Sequence, residues 1–223
     1  MILGIDTSLG TAVAVVEPDG VVRAEATSPD PLGHAEVIGL LIEGALADAE
    51  LGPIGAASAP ERIEIGHVAA GMGPGPFTGL RVGIAAARAF ALGRGVPVVP
   101  VPSHDAAALA LLLADPFADD VPPFAVVTDA RRREMAYTVY SGLDDDGLPV
   151  RVGEPALAPR TDLDGILEAR GVRRCDVTSI SAAMLALVAA RAVASGRTLA
   201  SGEPLYLRAP DVTLPGQPKR VGS

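Results

Sequence analysis

The sequence predicts a mixed α/β protein in two halves, each pairing strands with the helices that follow them. Three observations carry this expectation. Apolar runs separated by turn residues open the chain, the apolar period then changes to that of a helix, and the second half repeats strand and helix in a similar order. This is the pattern of two mixed layers and not of a continuous parallel βαβ run. The proline-punctuated strand Val96 to Ser103 marks the boundary, giving an N-terminal lobe at 1–102, a C-terminal lobe at 103–208 and a flexible Pro/Gly-rich tail at 209–223.

Taken in order, Ile2 to Ile5 and Ala12 to Val16 are strands joined through the polar turn Asp6-Thr7-Ser8. Asp19-Gly20 then stands between Val16 and Val21-Val22, a hairpin signal because glycine accepts φ > 0, so three antiparallel strands begin the fold. From Pro31 to Glu50 the period is helical. At about 100° per residue, Val37, Ile38, Leu40, Leu41, Ile42, Ala45 and Leu46 spread over roughly 240°, leaving Glu36, Gly39, Glu43 and Glu50 as the polar stripe. So wide an apolar arc exceeds one sheet contact; part of the helix packs on something else, within its own domain or outside it.

A strand over Ile63 to Ala70 leads into the loop Gly71 to Arg81, with Thr78 as N-cap of a helix running to about Leu92. That helix is dense in alanine (Ala85, Ala86, Ala87, Ala89, Ala91), so a neighbouring helix can come close, and Arg81 and Arg88, seven apart, share one face. The second half supplies a helix over His104 to Ala114, strands at Phe124 to Asp129 and Glu134 to Tyr140, the acidic turn Asp144 to Gly147, and helices at about Asp162 to Ala169 and Ile180 to Ser195.

Composition narrows the function. Of 223 residues, 18 Lys and Arg face 27 Asp and Glu, a net charge of −9 that argues against gripping nucleic acid with the whole surface. A hydrophobic content of 49% against 20% charged residues supports a packed core. Cys175 is the single cysteine, so neither an intramolecular disulfide nor a cysteine metal cluster forms, and a reducing compartment is expected. The longest charge-free apolar stretch, Val177 to Ala190, is shorter than the ~20 residues that span a bilayer. With no basic leader ahead of Ile2 to Ile5, a cytoplasmic protein away from the membrane is expected.

The glycine-rich loop 71–79 matches neither G-x-x-x-x-G-K-[ST] nor G-x-G-x-x-G, which breaks at Thr78, so a tight turn aiming the next helix is the plainer reading. Asp6-Thr7-Ser8 offers oxygens that suit a magnesium–phosphate group, or ordinary turn hydrogen bonds. The histidines are His34, His67 and His104, and none has a second histidine within a helical turn, so no histidine metal site and no cofactor are expected. Arg131-Arg132-Arg133 is the one run of three basic residues, a solvated hairpin end or a contact to RNA phosphates or an acidic partner.

Gly4-Ile5-Asp6-Thr7-Ser8, His34 at the head of an acidic, apolar helix, Gly73-Pro74-Gly75-Pro76-Phe77-Thr78-Gly79-Leu80-Arg81, Asp129-Ala130-Arg131-Arg132 and Pro204-Leu205-Tyr206-Leu207-Arg208 resemble, in order, the TsaB (YeaZ) family. Pro76 stands where that family carries serine. The resemblance implies a two-lobed actin/Hsp70/hexokinase-like (ASKHA) fold and a non-catalytic subunit that binds the catalytic paralogue TsaD, joined by the ATPase TsaE. That assembly threonylcarbamoylates adenosine 37 of tRNAs reading codons that begin with A. Where catalytic relatives carry H-x-x-x-H, His34-Ala35-Glu36-Val37-Ile38 lacks the second ligand.

The family associates through its first two helices, which makes His34, Val37, Ile38, Leu41, Ala45, Arg81, Ala85 and Arg88 the expected interface, toward TsaD or a second copy of the chain. Asp6, Thr7, Ser8, Gly73, Gly75 and Thr78 are an expected vestigial phosphate site, and Arg131 and Arg132 an expected contact to a partner or to tRNA within the complex. The alternatives are an ATP-binding kinase or ATPase of the same superfamily and, more remotely, a metallopeptidase.

Overall fold

A computed structural model describes residues 1–30, 33–51, 63–114 and 121–208. Pro31, where the first helix was expected to begin, and the 209–223 tail lie outside them. The first sheet takes β1 (Ile2–Asp6), β2 (Thr11–Val16), β3 (Val22–Ser28), β4 (His67–Gly71) and β5 (Val98–Val101) in the order β3-β2-β1-β4-β5. The opening strands are antiparallel, as expected, and β4 and β5 add on in parallel. Gly20, at φ 98°, closes the β2–β3 turn, where the Glu17 carbonyl accepts from its amide at 2.9 Å.

Two helices, α1 (His34–Leu51) and α2 (Phe77–Arg94), cover one face of this sheet, where Leu3, Ile5, Val13, Val15, Val68 and Ala70 meet Ile38, Ala45, Leu80, Ile84 and Ala87. The strand period of two sends Ile2, Ala12, Ala14, Val16 and Ala69 to the opposite face. There they pack on α5 (Ala182–Ala194), which lies against α3 (Ser103–Leu113). α3 in turn rests on a second sheet, and Phe124, Val126 and Tyr140 complete the middle core.

That second sheet runs β10-β6-β7-β8, with β9 also on β7; the strands are β6 (Phe124–Asp129), β7 (Glu134–Leu143), β8 (Pro149–Arg151), β9 (Ala156–Pro159) and β10 (Arg173–Asp176). Its outer face packs Ala125, Val127, Met135 and Tyr137 against Leu163 and Leu167 of α4 (Leu163–Glu168). The molecule is therefore five layers, helix–sheet–helix–sheet–helix, the two-lobed architecture expected. The chain passes from first sheet to second at Pro102, but α5 returns to the first sheet, tying the end of the fold to its beginning. Among the described residues no helix is long and apolar enough to cross a membrane.

Two buried ionisable neighbours at the start of α3 titrate in opposite senses. His104 sits between Thr138 Oγ1 at 2.8 Å and Thr128 Oγ1 at 3.0 Å, and burial pushes it down to about 3. Burial pushes Asp105 up to about 6, against the pull of Arg151 (3.2 Å) and of the Tyr140 hydroxyl, which donates to it at 2.8 Å. The folded chain holds the Asp105 proton more tightly than the unfolded chain does, so this group's share of stability falls as pH rises from about 4 to 6. His104 refuses a proton the unfolded chain accepts, so its share falls as pH drops below about 6.5. Asp105→Asn removes the first trend alone. Followed by urea unfolding, the stability difference between variant and wild type should widen in the variant's favour by about 2 kcal/mol between about pH 4 and pH 7; parallel pH profiles would contradict the assignment.

Candidate functional site

The turn after β1 is held by its own side chains. Ser8 donates to Asp6 Oδ1 from its hydroxyl at 2.5 Å and its amide at 2.8 Å, while Ser103 Oγ donates to Oδ2 at 2.5 Å and itself accepts from the Gly73 amide at 3.0 Å. Thr7 Oγ1 donates to the Gly79 carbonyl at 2.8 Å. Burial pushes the Asp6 carboxyl up, and the Ser103 and Ser8 hydroxyls and the Ser8 amide pull it back. Two glycines make room for this knot: a Cβ on Gly71 would fall 1.9 Å from Asp6 Oδ2, and one on Gly83 would fall 2.1 Å from Thr7 Oγ1. Of the expected phosphate site, Asp6, Thr7, Ser8 and Gly73 are thus drawn together, with oxygens spent on joining β1, the 71–77 loop and the start of α3.

Thr78 is a correction. Pro76 is the N-cap, without a side-chain cap bond, and Thr78 lies exposed inside the first turn of α2. Proline's fixed φ seats the chain at −61°, 136° just before the helix, so Pro76 sets where the helix starts.

Beside the knot, a cleft of about 560 Å³ opens between the two sheets, walled by Ser8, Thr11, Ser28, Asp129, Arg131 and Ser181 among others. Gly75 and Pro76 line a smaller adjoining pocket with Asp129, Arg131 and Arg208. His34 closes the cleft floor, its Nδ1 2.9 Å from Thr11 Oγ1. Across the cleft, Glu25 accepts from the Ser181 hydroxyl at 2.9 Å and the Ala183 amide at 3.2 Å, so a carboxylate of the chain already occupies the head of α5. Among the described residues no three His, Cys, Asp or Glu side chains gather as a metal-ligand set.

The cleft is rimmed by the β6–β7 turn, where Arg131, Arg132 and Arg133 have φ of 64°, 49° and 64°. Left-handed backbone costs a non-glycine residue roughly 1 kcal/mol or more. The turn is braced by the Arg131 amide on Asp129 Oδ1 at 2.7 Å, the Arg160 amide on the Arg133 carbonyl at 2.8 Å, and the ion pairs Arg160–Asp129 and Arg208–Glu134.

The outer helix pair divides the expected interface residues. His34, Ile38 and Ala45 are corrections: they face the chain's own sheet and core, because the α1 stripe that meets β2 and β3 uses them. Val37 and Leu41 are half-buried, and Arg81, Ala85 and Arg88 are exposed along α2. Sequence reasoning missed Leu40, 70% exposed on α1, and Leu92, 84% exposed on α2. Leu40 lay within the apolar arc as its outermost part, but the arc alone gave no direction for the sheet.

A second unforeseen feature is a strap, residues 199–208, that runs back from α5 across α2. Leu205 donates its amide to the Met72 carbonyl at 2.8 Å, Arg88 donates to the Gly202 carbonyl, and Arg81 Nε donates to the Tyr206 hydroxyl at 3.1 Å. The Arg81 guanidinium lies 3.7 Å over the Phe77 ring, and the Phe77 and Tyr206 centroids are 4.7 Å apart. Arg81 and Arg88 therefore anchor the chain's own strap. Tyr206→Ala should speed hydrogen exchange at the Leu205 amide by about 5- to 30-fold, since the ring contacts it removes are worth about 1–2 kcal/mol. An unchanged Leu205 rate would show that the strap does not depend on Tyr206.

The family model of tRNA N6-adenosine threonylcarbamoyltransferase (TsaD) matches residues 20–148, more than half of the chain. An uncharacterized Mycobacterium leprae protein is 38% identical over 168 residues, covering 74% of this chain and 40% of that one. One from Mycobacterium tuberculosis is 36% identical over 165 residues, covering 73% and 67%. The tRNA N6-adenosine threonylcarbamoyltransferase of Streptococcus pneumoniae is 30% identical over 157 residues, 63% of this chain and 44% of the enzyme. In structure, YeaZ from Pseudomonas aeruginosa superposes with a TM-score of 0.68 at 22% identity, over 92% of this chain and 99% of that one. A second structure, of a protein with similarity to peptidase YeaZ from Pseudomonas aeruginosa, gives 0.68 at 23% identity, over 93% and 99%. The chain belongs to the tRNA N6-adenosine threonylcarbamoyltransferase (TsaD) family and has the fold of the YeaZ (TsaB) proteins.

Proposed function

We propose that this chain is the non-catalytic, activating subunit of the assembly that threonylcarbamoylates adenosine 37 of tRNAs reading codons that begin with A, acting in the cytoplasm. It binds a catalytic TsaD paralogue through the outer surface of α1 and α2, TsaE joins that pair, and tRNA is met only within the assembly. A second copy of the chain can occupy the same surface when the paralogue is absent. The observation that carries this reading is the apolar surface the helix pair leaves in water, Leu40 beside Val37 and Leu41 on α1 and Leu92 on the Ala85 face of α2. The closed hydrogen-bond knot at Asp6 supports it further, because oxygens that bond to Ser8 and Ser103 hold the fold together and do not face the cleft as free ligands.

The experiment is depletion of this chain in its own cells, with N6-threonylcarbamoyladenosine measured in tRNA by nucleoside mass spectrometry. Loss of the nucleoside, restored by the wild-type chain, is expected; an unchanged level would contradict the proposal. The competing reading, an ATP-binding kinase or ATPase, is favoured by the cleft of about 560 Å³ between the sheets. Calorimetric titration of the isolated chain with ATP and magnesium separates the two, since only the competitor requires saturable binding.

A further inference from the structure

The geometry points to the turn between β6 and β7 as a contact for the phosphate backbone of a folded RNA. The inference rests on the function proposed above, because the RNA it invokes is the tRNA on which that assembly acts.

Three successive arginines in left-handed backbone are an arrangement that glycine or asparagine would make with less strain. All three side chains are exposed. The two carboxylates at the base of the turn are already neutralised, Asp129 by Arg160 at 2.9 Å and Glu134 by Arg208 of the strap. Arg160, which also acts on Asp176, and Arg208 thus offset the acids at the base, and the turn itself sets three exposed arginines on a chain of net charge −9. Among the described residues, neither the Arg131 nor the Arg133 guanidinium has a carboxylate within ion-pair distance, and Arg131 also walls the cleft. A guanidinium presents a planar fork that matches phosphate oxygens, which suits a backbone contact better than a point charge would. The overall acidity remains consistent with this: it keeps RNA off the rest of the surface and confines the contact to one corner.

The test uses the complex of this chain with its catalytic paralogue, an unmodified tRNA transcript with adenosine at position 37, and the double variant Arg131→Gly, Arg133→Gly. Glycine accepts both φ values, so the turn keeps its shape while losing two charges. Each lost phosphate contact should lower the slope of log affinity against log salt by about one, so the slope should become shallower by about two and affinity at about 50 mM salt should fall at least ~10-fold. Light scattering should show association with the paralogue unchanged. Equal affinity and slope in variant and wild type would overturn the assignment. So would loss of association at an unchanged melting temperature, which would make the turn a protein contact. If the wild-type chain does not join the paralogue at all, the function proposed above fails. The same titration on the isolated chains then still decides the turn: a steeper wild-type slope supports the contact, and identical slopes overturn it.

Discussion

Gly71→Ala is expected to unfold the chain or lower its melting temperature by about 10 °C. The added Cβ would stand 1.9 Å from Asp6 Oδ2 and 3.0 Å from Ser103 Oγ, in a place with no solvent to yield. Relief requires the Asp6 carboxylate to move, which breaks its bond to Ser103 and leaves buried oxygens unsatisfied. Overpacking costs about 1–3 kcal/mol and an orphaned buried polar group about as much again, a large part of a typical 5–15 kcal/mol stability. At roughly 2–4 °C per kcal/mol for a chain of this size, the combined ~2–6 kcal/mol amounts to about 4–24 °C, centred near the stated shift. Gly39→Ala is the control: its Cβ meets nothing within 4 Å, and a helical alanine should add about 0.5–1 kcal/mol. Equal melting temperatures for Gly71→Ala and wild type, by calorimetry, would show that the knot at Asp6 does not hold the lobes together.

Leu40→Asp with Leu92→Asp is expected to weaken association with the catalytic paralogue by ~100-fold or more while leaving the melting temperature of the isolated chain within about 2 °C of wild type. Both side chains are already in water, so the free chain has little to lose. In a complex each leucine would bury about 1.5–3 kcal/mol of apolar surface, and an aspartate there must also be stripped of water. Leu41 is a less clean probe than Leu40, because it packs partly on the chain's own core and a charge there would also strain α1. Ala45, fully buried, would report only folding.

The parts of the fold that were legible in the sequence are those with strong periodicity or turn chemistry. The opening hairpins follow from apolar runs broken at Asp6 to Ser8 and at Asp19-Gly20, and the long helices from sustained apolar periods. Three short strands were not foreseen. β8 is three residues and β9 four, ending at a proline, while β10 reads Arg-Arg-Cys-Asp and buries only Cys175, so none offers a full alternation. They are strands because β7 and β6 present free edges to them, a cause that lies outside their own residues.

The candidate site divides the same way. Asp6, Thr7 and Ser8 stood out by residue type, but their partners Ser103 and Gly79 are distant in sequence and only the fold brings them near. The over-wide apolar arc of α1 correctly marked a helix with more apolar surface than its sheet uses, yet an arc has no origin. Which stripe faces inward is set by β2 and β3, and it falls on His34, Ile38 and Ala45, leaving Leu40 outside. The destination of α5 and the path of the strap over Arg81 and Arg88 likewise depend on surfaces that the rest of the chain creates.

Light scattering after size-exclusion chromatography tests whether the outer face of α1 and α2 docks the catalytic paralogue. The chain, alone and mixed with the paralogue from the same organism, should give a one-to-one complex that forms at the expense of any homodimer and is lost with Leu40→Asp and Leu92→Asp. A complex that persists undiminished in that double variant, or no complex at all with nucleotide and tRNA present, would contradict it.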